Sequence, residues 1–124
     1  MQSNSGRRWY IMIAGPYKGS SDDPQVWHAN FQKLNHAAFE IFKKGHIPVI
    51  GVNAALPVIA AAGEAHYEDI MMPVSLAFAE KCDAVLRIEG YSRGADQEVN
   101  FFVEKGLPVF YSLPDIPAYT GPEQ

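Results

Sequence analysis

Four short apolar runs without alternation punctuate the chain, at residues 9–14 (Trp-Tyr-Ile-Met-Ile-Ala), 46–52, 83–89 and 107–113. Unbroken runs of this length suit strands covered on both faces. Helical periodicity fills the gaps between them. Asp23 is placed to cap a helix and Pro24 suits its first turn. Trp27, Phe31, Leu34, Ala38 and Ile41 then recur on one stripe until Gly45 stops it. Residues 64–81 carry a second stripe (Tyr67, Ile70, Met71, Val74, Phe78), in which Pro73 predicts a kink or a break. A third helix over 95–105 turns Val99, Phe102 and Val103 inward. Residues 53–62 are alanine-rich and fit a short helix or a loop.

Strands alternating with helices imply an α/β fold with a parallel sheet and right-handed crossovers, helices on both faces. The expected architecture is a flavodoxin-like or Rossmann-like three-layer sandwich with strand order 2-1-3-4. Its switch point lies between strands one and three, where ligands bind beyond the carboxyl ends. Loops 15–23 and 90–94 meet there. One domain over 9–113 is expected, preceded by a flexible segment at 1–8 and followed by an extended surface tail at 114–124, rich in proline.

Length and composition fit this: 124 residues, 48% hydrophobic and 19% charged, are ordinary for one globular domain. A net charge of −4 argues against a nucleic-acid partner. The one cysteine, Cys82, excludes an internal disulfide, and no Cys/His spacing suggests zinc, so neither a metal nor a cofactor is expected. No run is long enough for a signal peptide or a membrane span, and a cytoplasmic location is expected.

The first loop, Gly15-Pro16-Tyr17-Lys18-Gly19-Ser20, combines glycine for close backbone approach, a flat aromatic face and a cation. It has neither the P-loop ending nor the dinucleotide glycine spacing, and a plain strand-to-helix turn fits equally well. The second loop offers Ser92 as a helix cap and free N–H groups near Gly94 as an anion site. Glu98 follows about one turn into the helix. A carboxylate there can attack an anomeric carbon, or can merely complement the helix dipole, the role preferred for Asp96.

Ile11-Met12-Ile13-Ala14-Gly15-Pro16-Tyr17, Gly45-His46-Ile47-Pro48-Val49, Cys82-Asp83-Ala84-Val85, Gly94-Ala95-Asp96-Gln97-Glu98 and Lys105-Gly106-Leu107-Pro108-Val109 together resemble the nucleoside 2-deoxyribosyltransferase superfamily. The likeness spans residues 10–111 and is nearest to that superfamily's small, mostly uncharacterised bacterial and phage branch. It implies a flavodoxin-like fold and cleavage of an N-glycosidic bond in a small-molecule nucleoside or nucleotide. Glu98 would attack C1′ to give a covalent sugar intermediate, resolved by water or by a second base. Ser92 and Gly94 would hold the sugar or 5′-phosphate, and Gly15, Pro16 and Tyr17 would line the base or sugar side. Homo-oligomers are implied too, with a neighbour closing each pocket; the tail with Tyr119 would suit that role or run loose on the surface.

The sequence departs from the pattern at Ser75, where active relatives carry an aspartate that assists the leaving base. A hydroxyl is no general acid near neutral pH. Glu68 and Asp69, a turn or two earlier, are the substitutes within reach. Gln97 precedes Glu98, and Val99-Asn100 replaces the usual small pair after it.

Among the other polar residues, Lys18 and Asn53 are candidates for ligand contact, with a helix cap the alternative for Asn53. Arg87 interrupts an apolar strand and implies a sheet-edge position or a carboxylate partner. His46, at the amino end of its strand, reads as structural, and His28, His36 and His66 as solvent-exposed. Cys82 and Met71-Met72 read as packing residues.

Overall fold

Successive residues of the first apolar run point to different helices, as the two-residue period of a strand requires. This is seen in a computed structural model of the chain, which describes residues 3–4 and 7–121. Strand β1 is Ser3–Asn4, β2 Tyr10–Ala14, β3 Ile47–Val49, β4 Ala84–Arg87, β5 Val109–Phe110 and β6 Ala118–Tyr119. The helices are α1 Pro24–Lys43, α2 Gly51–Ala62, α3 Tyr67–Ala79 and α4 Arg93–Lys105. Ile11 and Ile13 pack with Leu34, Ala37 and Ile41 of α1. Met12 and Ala14 pack on the opposite face with Ala79 of α3 and Ala95 and Phe102 of α4.

The main sheet runs β3-β2-β4-β5, all parallel, which is the order 2-1-3-4 of the four expected strands. The fold is thus a flavodoxin-like three-layer arrangement with its switch point between β2 and β4. Pro48 pairs with Ile11 from the edge strand β3, where its missing N–H costs no second ladder. Asp23 caps α1 by accepting from the Gln25 N–H (2.9 Å), with Pro24 in the first turn. α4 ends at Gly106 in the left-handed conformation.

Three local expectations change. The second strand ends at Val49 and the helix α2 starts at once from Gly51, so 53–62 is the body of a helix. Of the two outcomes expected at Pro73 the break does not occur: α3 is continuous through it, and the residue whose carbonyl loses its partner, Asp69, is exposed to water. Residues 116–119 of the expected surface tail are docked instead. Ile116 is fully buried against the α1 face, β6 pairs in parallel with β1, and the Tyr119 N–H donates to the Lys44 carbonyl (2.8 Å). The pairing of Ser3–Asn4 likewise ties down part of the lead-in at 1–8.

His46 organises this corner. Its Nδ1 accepts from the Trp9 N–H at 3.0 Å, so Nε2 carries the proton and donates to the Pro117 carbonyl at 2.7 Å. The ring is fully buried, stacked on Trp9 and tilted against Tyr119. Burial lowers its pKa below the ordinary 6.5, which matches the structural reading. Cys82 is packed in the core, and burial pushes its thiol up to about 12. Among the described residues no helix is long and apolar enough to cross a membrane, and no group of three His, Cys, Asp or Glu side chains is placed to hold a metal.

Candidate functional site

A cavity of about 660 Å³ opens beyond the carboxyl ends of β2 and β4, at the switch point. Its walls are the loop after β2 (Gly15, Tyr17 to Asp22), one side of α3 (Tyr67 to Leu76), Val52 of α2, and the first turn of α4 with the loop before it (Tyr91 to Glu98). Of the residues expected from sequence, Gly15, Tyr17, Lys18, Ser92, Gly94 and Glu98 all line it. Pro16 does not; it packs behind the wall against Gly90, where a Cβ would sit 2.9 Å from its ring. Asn53 also lies outside the lining. Its amide donates to Asn35 Oδ1 of α1 (2.7 Å) from within α2, and the expected cap role is corrected: the residue capping α2 is Ile50.

The loop after β2 is held firmly. Asn30 donates to the Tyr17 carbonyl (2.7 Å) and the Trp27 indole to the Ser21 carbonyl (2.8 Å), both from α1. Gly15 is glycine for packing: a Cβ there would lie 2.8 Å from Ile88 Cβ and 3.0 Å from Leu34. Across the cavity, Ser92 caps α4 by accepting from the Ala95 N–H (3.0 Å). The first N–H groups of that helix, at Arg93 and Gly94, have no intrahelical partner, and both residues face the cavity. Arg87, at the end of β4, donates to Asp96 (2.9 Å) and to the Gly90 carbonyl (3.0 Å), so it has the carboxylate partner that its place in an apolar strand implied.

Glu98 is the unusual group. It is only 6% exposed, lines the cavity and makes no ion pair among the described residues; its polar neighbour is the Ser75 hydroxyl. Burial pushes its carboxyl up to about 7 from an ordinary 4.5; the nearby Ser75 hydroxyl, then the Arg87 charge, pull the other way. Ser75 is fully buried, lines the same cavity, and its hydroxyl has no hydrogen-bond partner of normal geometry. Its backbone and side chain press against Gly51, the first residue of α2. Of the two acidic residues on α3 weighed as substitutes for a missing acid, Glu68 lines the cavity. Asp69 faces solvent beside His66.

Sequence reasoning missed Tyr67, Arg93 and Tyr91, which complete the lining. Tyr67 sat in a stripe read as core, and burial raises its phenol above the ordinary 10. Arg93 was legible only once Ser92 had fixed where α4 begins. The site therefore combines a buried, weakly acidic carboxyl, open helix N–H groups, two cations and three tyrosine faces. That set can hold an anionic or hydroxylated ligand with a flat ring beside a nucleophile or proton carrier. Compared with models of known protein families the chain matches none, and no curated protein matches it.

Proposed function

We propose that the chain is a nucleoside or nucleotide N-glycosidase or deoxyribosyltransferase with Glu98 as its nucleophile. The observation that carries this reading is the buried Glu98 carboxyl at the switch-point cavity, one turn from the open N–H groups of α4. In the reaction, a Glu98 oxygen bonds to C1′ as the C1′–N bond breaks, and that bond's electrons leave on the base. Water can supply the proton to the departing base, and Glu68 is the acidic residue of α3 that lines the same cavity. Water or a second base then attacks C1′, expels the Glu98 carboxylate and completes hydrolysis or transfer. Tyr17 and Tyr91 suit the base, Ser92 and Gly94 suit the sugar, and the cations Lys18 and Arg93 suit a phosphate. Assembly into homo-oligomers belongs to the same reading.

A second reading is favoured by Ser75, which stands where the superfamily pattern has an acid: a nucleotide-binding module that keeps the pocket without the chemistry. One assay separates the two. Deoxynucleosides and deoxynucleoside monophosphates are incubated with the native chain and with Glu98→Gln, and free base is measured by chromatography. Base release by the native chain alone supports the enzyme. Thermal stabilisation by the same compounds without release supports the binding module, and neither effect overturns both.

A further inference from the structure

The two cations of the cavity are held differently. Arg93, the first residue of α4, is exposed and makes no ion pair among the described residues. Lys18 is committed: its ammonium pairs with the carboxylate of Glu64, in the turn before α3. It also sits 3.9 Å from the centre of the Tyr67 ring and 4.4 Å from that of Trp27. Its side chain is 26% exposed, whereas that of Glu64 is 67% exposed and lies outside the cavity lining. A cation enclosed by two ring faces has lost water on two sides and calls for a counter-charge. Glu64 supplies it from the solvent side.

We propose that Glu64 is a specificity residue: it holds Lys18 at the cavity wall and yields it to the phosphate of an incoming ligand. This rests on the nucleotide reading for the class of ligand. A phosphate monoester carries about −1.5 to −2 charge and more acceptor oxygens than a carboxylate, so it outcompetes Glu64 for the same ammonium. Glu64 then returns to water, which it has hardly left. The two sides of the pair are built for that exchange. Lys18 stands on a loop fastened to α1 through Trp27 and Asn30. Glu64 directly follows Gly63, whose φ of +111° only glycine adopts readily and around which there is open space. A neutral nucleoside brings nothing to displace Glu64, so the pair stays closed and contributes no affinity.

The test is calorimetric titration of the native chain, Glu64→Gln, Glu64→Ala and Lys18→Met with deoxyadenosine 5′-monophosphate, deoxyadenosine and inorganic phosphate at low and high salt. Removing the competing carboxylate should tighten monophosphate and phosphate binding about three- to tenfold at low salt, less at high salt. Deoxyadenosine binding should be unchanged, and Lys18→Met should bind phosphate more weakly than the native chain. Equal tightening for deoxyadenosine and its monophosphate, or none for either phosphate ligand, overturns the proposal. Phosphate binding that responds to Glu64 and Lys18, with no gain from the attached nucleoside, leaves this pair standing and overturns the nucleotide reading instead.

Discussion

The Glu98 carboxyl on α4 and the Ser75 hydroxyl on α3 are buried side by side at one cavity, and the hydroxyl is the group that most opposes the rise in the acid's pKa. A nucleophilic carboxylate must be ionised. With a free-enzyme pKa of about 7, kcat/KM should therefore rise with pH through that value and level off above it. Ser75→Ala removes an opposing interaction and should move the midpoint upward. A pH–rate profile of base release checks both. A rate that falls across the same range would mean that the protonated form of Glu98 is the working one.

The same residue has a cost in stability. Its pKa lies higher in the folded chain (about 7) than its ordinary 4.5, so the folded state binds more protons between those values. By linkage, that contribution to stability is present below 4.5 and lost as pH rises through 7. Glu98→Gln, neutral at every pH, should gain on the native chain at pH 8 by up to on the order of 3 kcal/mol. At pH 4 the two should melt together. Thermal melts at the two pH values measure it; a Glu98→Gln chain that is less stable at pH 8 would show a partner for the carboxylate that the fold supplies and the pairings above lack.

His46 works in the opposite direction. Its folded pKa is depressed, by burial first, below 6.5, so the unfolded chain takes up the proton first as the solution is acidified. Stability from this site is full above about 6.5 and declines as pH falls through that value toward the folded pKa. Protonation also turns Nδ1 into a donor facing the Trp9 N–H donor. The charges around the ring are mixed: Lys44 and Arg8 disfavour the proton and Asp83 favours it. Against its own desolvation, Asp83 is held below its ordinary 3.8 by Arg7 and the Tyr10 N–H, so its loss comes at lower pH and is separable. His46→Gln should flatten the melting temperature between pH 6.5 and 5. An unchanged slope would assign that acid sensitivity elsewhere.

These residues also mark what the sequence could reveal. The caps at Asp23 and Ser92, the unbroken apolar run of Ile11 to Ala14 and the helix end after Lys105 are local signals, and each sits where its pattern put it. Spacing after a capped turn put Glu98 near the cavity but left a mere dipole role open; the resemblance singled it out. The start of α2 was not, because Ile50, Gly51 and Val52 continue an apolar run with no capping side chain to end it. Nor was the burial of Ile116, a single apolar residue among prolines, beside Pro117, whose carbonyl accepts from His46, 71 residues away. The Lys18–Glu64 pair and the contact of Gly51 with Ser75 join residues distant in sequence, and no local period records them.

That last contact gives the most demanding prediction. A Cβ on Gly51 would fall 2.2 Å from Ser75 Oγ, 2.7 Å from its Cβ and 3.0 Å from its Cα. The hydroxyl can rotate away, but the Cβ and the α3 backbone cannot, so α2 must shift. Gly51→Ala should destabilise the chain by about 1–3 kcal/mol, as overpacking does in a filled core. Because the residue it displaces lines the cavity, ligand affinity should fall as well. Ser75→Gly removes two of the three clashing atoms while costing about 1 kcal/mol as a glycine within a helix. In the double variant the two losses should therefore fall short of their sum, a coupling readable from denaturant melts of all four chains. Strict additivity would mean that α2 and α3 do not meet at these residues.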